Sequence, residues 1–169
     1  MHTTKRLVLL ALMVSQAVVL SIVESWIPVP VGVPGVKLGL ANIITLIIIV
    51  FLSYKDALAV VMVRSVLTFI FAGGFVVFLF SITGGILSTI VMAVLYKRAG
   101  RFFSIIGISI AGAVMHNLGQ LSVASFVMRE LSIMTYLPVL LLSGVIMGCF
   151  VGLCSNFLIM SLKKTGIFT

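Results

Sequence analysis

Six apolar runs, residues 7–23, 38–52, 57–72, 75–95, 105–128 and 137–162, limit this chain to essentially one kind of structure. A helix needs about 20 apolar residues, within a range near 17–25, to cross a bilayer. Inside lipid each segment must satisfy its own backbone hydrogen bonds, so such runs fold as helices. The expected architecture is therefore an all-α integral membrane protein, a compact bundle of six transmembrane helices forming one domain over residues 1–169. Composition agrees: 62% of residues are hydrophobic and only 8% charged, against roughly a quarter charged in soluble domains. Runs two and three are short for simple spans. They are expected to borrow length from their flanks, or to be tilted and irregular where protein covers them.

The net charge of +8 does not indicate nucleic acid. Lys5, Arg6, Lys55, Lys97, Arg98, Arg101, Lys163 and Lys164 all fall at ends or connections of apolar runs, and alternate connections carry them. Lys37 and Arg129 alone fall on the other side. By the positive-inside rule both termini are then cytoplasmic, with anionic headgroups beside the basic end. The apolar run after Lys5-Arg6 is long for a signal peptide and lacks a small-x-small site before Glu24-Ser25-Trp26. It is read as a retained first helix. Cys149 and Cys154, five apart on different helix faces without His or carboxylate nearby, are read as small apolar filler. No metal site is expected.

Four polar features interrupt the apolar background. Arg64 lies inside the third run, and a guanidinium at that depth costs about 2.5–3.5 kcal/mol by insertion scales. Such a side chain faces protein or a water-filled cavity, and its planar fork suits a carboxylate or phosphate. No carboxylate is expected in mid-membrane, since Glu24, Asp56 and Glu130 all lie at the margins of runs. The partner is then a carbonyl, a polar side chain or a ligand. His116-Asn117-x-x-Gln120 places His116 and Gln120 on one helix face, with Asn117 about 100° round. These three side chains suit either a heteroatom-rich ligand or hydrogen bonds between helices. Asn42 and Thr45 begin the second run, with Lys37 just before it: an access path to a pocket, or a headgroup contact. Ser81-x-Thr83-Gly84-Gly85 favours close helix packing.

The connection over residues 24–37 holds Pro28, Pro30 and Pro34 with Gly32 and Gly35, which exclude regular helix. Trp26 suits a membrane interface. This segment is either a stiff connector or a lid over an outward-facing pocket. Gly144, Gly148 and Gly152 form a doubled GxxxG ladder, which brings helix backbones close. No DDxxD-type pair, GxSxG, Walker loop or HExxH is present, and general acid–base candidates are nearly absent, so no enzyme is expected.

The segment Val33-Pro34-Gly35-Val36-Lys37-Leu38-Gly39-Leu40-Ala41-Asn42, the Arg64 helix, Ser81-x-x-Gly84-Gly85 and Ala113-x-x-His116-Asn117-x-x-Gln120, followed by Pro138 and Gly144, resemble one small bacterial membrane family. It is known as the Gx transporter, or heptaprenyl diphosphate synthase component I, family, and is similar in turn to the S components of energy-coupling factor (ECF) transporters. That resemblance implies a six-helix protein of the bacterial cytoplasmic membrane. It would bind a vitamin-like, quinone-related or isoprenoid-related precursor under the loop after helix one. A transmembrane coupling subunit and ATPase subunits would supply the energy. S components dock through Ala-x-x-x-Ala on helix one; here Ala11-x-x-x-Ser15 and Ala17-x-x-x-Ser21 keep the spacing but not the residues. Arg64 would take an acidic group of the ligand, while Asn42, His116, Asn117 and Gln120 orient it. The alternative is a non-catalytic membrane subunit of isoprenoid, quinone or redox metabolism, docking a soluble enzyme through Lys97, Arg98 and Arg101.

Overall fold

The computed structural model describes residues 3–26, 39–72 and 74–165. Among these, the chain is all-helical: α1 (Thr3–Ser25), α2 (Asn42–Phe51), α3 (Tyr54–Ala72), α4 (Phe75–Ala99), α5 (Ile105–Met128) and α6 (Leu137–Thr165), with a short 3-10 helix (Leu131–Tyr136) before α6. Four helical stretches, Thr4–Ser25, Phe75–Ala99, Ile105–Met128 and Leu131–Thr165, are long and apolar enough to cross a membrane. All six expected helices are present, but α2 and α3 do not reach that length and apolar character. α3 gains length from Tyr54, Lys55 and Asp56 to reach 19 residues, but Lys55, Asp56 and Arg64 interrupt its apolar character. α2 stays at ten residues, about 15 Å at 1.5 Å per residue, half of a hydrocarbon core of about 30 Å.

Burial explains the short helix. α2 touches α1, α3, α4, α5 and α6, and its residues 42–49 are all buried. A helix apolar all round is either buried in protein or a membrane span, and the contacts of α2 make it the first. Here Leu46, Ile47 and Ile48 form the middle of the main core, together with Met92 of α4, Ile108 of α5 and Val151 of α6. α1 and α6 do not meet; α2 lies against both and closes the bundle between them.

Local signals set the ends of the outer helices. The Ser104 hydroxyl accepts from the Gly107 N–H and starts α5. Gly74, at φ +90°, makes the turn into α4 that other residues adopt poorly. The glycine ladder of α6 packs on α5. A methyl group built on Gly148 would lie 2.7 Å from the Ile110 Cα, and one on Gly152 2.7 Å from the Ile106 Cα. On α1 the packed small residues are Ala17 and Ser21, both buried, whereas Ala11 and Ser15 are exposed. Ala11 and Ser15, which keep the docking spacing, therefore lie on the outer surface of α1.

Connectivity gathers Lys5, Arg6, Lys55, Lys97, Arg98, Arg101, Lys163 and Lys164 at one end of the bundle, the basic end. There Arg6 donates to Asp56 at 2.7 Å, and the Ser53 hydroxyl donates to the same carboxylate at 2.8 Å, tying the start of α1 to the first turn of α3.

Candidate functional site

Helical spacing brings a polar centre together about halfway along the bundle. α1 turns Ala17, Ser21 and Glu24, at i, i+4 and i+7, inward on one face. α3 contributes Arg64, and α5 contributes His116 and Gln120 one turn apart. α2 begins at the same level with Asn42. At 1.5 Å per residue Arg64 lies about 15 Å along α3 from Tyr54, which matches the whole length of α2.

The two glycines of α4 make room for the centre. A methyl group on Gly85 would lie 3.0 Å from Arg64 Nη2, and one on Gly84 would lie 3.1 Å from His116 Nδ1 and 2.8 Å from the His116 carbonyl oxygen. The Gly84-Gly85 pair thus accommodates the guanidinium and the imidazole on adjacent residues. His116 Nε2 pairs with Gln120 Nε2 at 3.1 Å. Asn42 lies beside Gly39, where an added methyl group would be 2.9 Å from Asn42 Nδ2 and 3.8 Å from the His116 ring. Gly39 itself has φ +89°, a conformation that side chains with a Cβ strain to adopt.

Arg64 is the least satisfied of these groups. It is 3% exposed. Its one hydrogen bond among the described residues runs from Nη1 to the Ser21 hydroxyl at a long 3.5 Å. Nε and Nη2 have no hydrogen-bond partner among the described residues, and neither has Asn42 Oδ1. The site therefore presents two donors of a buried cation and one amide acceptor.

Glu24 is the residue that sequence reasoning misplaced. It was expected at the margin of an outer connection; it is the penultimate residue of α1 and is 3% exposed. Its carboxylate accepts from the backbone N–H of Gly39, and from that of Leu40 at 3.2 Å. It thereby holds the two residues just ahead of the N-cap of α2 from another element, with its negative charge near the helix start, where it is favoured. It also lies within electrostatic reach of Arg64, so the expectation that no carboxylate balances Arg64 is corrected. The available signal was the i, i+3 spacing of Ser21 and Glu24 on an otherwise apolar helix.

Asn117 takes a different part. Its Nδ2 donates to the Leu140 carbonyl of α6 at 2.7 Å and lies against Gly144. That amide joins α5 to α6 and faces away from Arg64. Ser81 pairs with Ser65 across α4 and α3 at 3.4 Å. Trp26 is 75% exposed just beyond α1. Lys37, Pro28, Pro34 and Gly35 lie outside the described residues.

A bundle with four long apolar helices, a half-length helix at its centre and a buried cation at mid-depth defines a multi-pass membrane protein built around a polar site. Its lineage is specific: the chain belongs to the family described as heptaprenyl diphosphate synthase component I, which it matches over residues 13–158. The matched span covers every residue named in the polar centre. No curated protein and no solved structure matches the chain.

Proposed function

We propose that this chain is the substrate-binding membrane component of an uptake transporter, resembling an ECF S component, and that it holds a small molecule with an acidic group at Arg64. The observation that carries this reading is a guanidinium 3% exposed with two donor nitrogens unpartnered among the described residues. Leaving such donors unmet costs at least about 1–3 kcal/mol each, and a bound anion recovers it. A second feature supports the reading. The N-terminus of the half-length α2 points into the same region, an arrangement that transporters use to receive anionic groups. Asn42, His116 and Gln120 set the orientation of the rest of the ligand. Glu24 already offsets part of the Arg64 charge, so the site disfavours a multiply charged group. The chain itself is non-catalytic, lies in the bacterial cytoplasmic membrane with the basic end inside, and depends on partner subunits for energy. The exposed Ala11–Ser15 face of α1 is the natural surface for a coupling subunit.

The test is extraction of the purified protein, with small molecules identified by mass spectrometry, for wild type and Arg64→Gln. The wild-type chain releases an acidic compound whose affinity falls roughly 10- to 100-fold in the variant, the range expected for one charge-assisted hydrogen-bond set. Equal retention by a folded variant removes the reading.

The family description favours a second reading, a membrane subunit of heptaprenyl diphosphate synthesis that docks a soluble enzyme on the basic end. Affinity purification from native membranes separates the two. ATP-binding and membrane coupling subunits support transport, and a prenyltransferase supports the alternative.

A further inference from the structure

We propose that the groove between α3 and α4 at the basic end is a site for one anionic phospholipid, with its phosphate on Lys97 and Arg98 and one acyl chain lying along the groove. The groove has a volume of about 450 Å³ and an apolar lining from Leu58 of α3 and Ile90, Ala93 and Val94 of α4, with Tyr54 beside them. Ile90, Ala93, Val94 and Lys97 share one face of α4. From Ile90 to Lys97 this face runs about 10 Å, two-thirds of one leaflet's half of a core of about 30 Å. Thr89 also touches the groove, but its hydroxyl donates to the Gly85 carbonyl at 2.7 Å and offers the groove no unmet polar atom.

The groove ends on Lys97 and Arg98, and those two residues also line a second concavity of about 570 Å³ with Tyr96, Gly100 and Arg101. An apolar slot and a basic pocket that share two cations match an amphiphile with an anionic head. No carboxylate lines either cavity. The carboxylate on the neighbouring stretch of α3, Asp56, is bound by Arg6 and Ser53. Lys97 and Arg98 also suit the C-terminal turn of α4, where cations complement the helix dipole. That accounts for the charges but not for the apolar groove that terminates on them.

Native mass spectrometry of the detergent-purified full chain tests the site with three probes: dioleoylphosphatidylglycerol, dioleoylphosphatidylcholine and farnesyl diphosphate. One phosphatidylglycerol per chain is retained, and phosphatidylcholine binds at least tenfold more weakly. Each cation near a headgroup contributes about fivefold, so the Lys97→Gln, Arg98→Gln double variant weakens binding about 30-fold. Val94→Trp fills the groove from an exposed position without altering charge, and it also abolishes retention. Lys163→Gln with Lys164→Gln, at the same end on α6, leaves affinity within twofold. The proposal is overturned if the two phospholipids bind alike, if the α6 pair matters as much as the α4 pair, or if Val94→Trp has no effect. Preference for farnesyl diphosphate over phosphatidylglycerol overturns it as well, and would make the groove an isoprenoid site.

Discussion

Glu24 and Arg64 are best understood as one electrostatic unit, although they stand on different helices and were separated by the sequence reading. The carboxylate accepts from the Gly39 and Leu40 N–H groups ahead of α2 and lies within electrostatic reach of the guanidinium, which has two nitrogens unpartnered among the described residues. Removing either leaves the other buried charge less well compensated, which destabilises the fold. Glu24→Gln should therefore lower the unfolding midpoint of the purified protein clearly. The Glu24→Gln, Arg64→Gln double variant should lose less than the sum of the two single variants. Strict additivity in that cycle would show that the two charges do not sense each other. Gly39→Ala is a milder residue-scale change: placing a Cβ at φ +89° costs about 1–2 kcal/mol, and the added methyl presses on Asn42. Ligand affinity should fall with it, since Asn42 must shift.

At the scale of elements, two devices hold the site: the α5–α6 glycine contact and the enclosed α2. Gly148→Ala forces a methyl to within 2.7 Å of the Ile110 backbone and should destabilise the bundle by about 1–3 kcal/mol as overpacking. Ala11→Leu, on an exposed face, should leave the isolated chain's unfolding midpoint unchanged. The helices were legible because long apolar runs and polar connections are direct consequences of the bilayer. The glycine ladder was legible for the same kind of reason, since its spacing fixes which residues share a face. The shortness of α2 was only half legible: Ile43 to Ile49 reads the same whether lipid or protein surrounds it, and only the packing of five helices decides. Glu24 was illegible because its partners, Gly39, Leu40 and Arg64, meet it only through tertiary structure. Asn117 and Gln120 looked equivalent in sequence. Three residues apart on the helix, they point about 60° from each other, and one amide reaches α6 while the other reaches His116.

The whole molecule is a polarised object, with eight Lys and Arg residues named above at one end and the polar centre at mid-depth. If the basic end faces the cytoplasm, as the proposed function requires, a reporter fused after Lys164 should be active only as a cytoplasmic fusion. Activity of the periplasmic type would invert the bundle.

The half-length of α2 also has an electrical consequence. Moving one elementary charge fully across a membrane is worth about 2.3 kcal/mol per 100 mV. Arg64 and the start of α2 stand roughly halfway through, so a monovalent anion settling there crosses about half the field, about 1.2 kcal/mol per 100 mV. Its binding constant in proteoliposomes should change about sevenfold for each 100 mV imposed with a potassium gradient and valinomycin. Occupancy of this site would then report the energised state of the membrane without a dedicated voltage-sensing helix among the described residues.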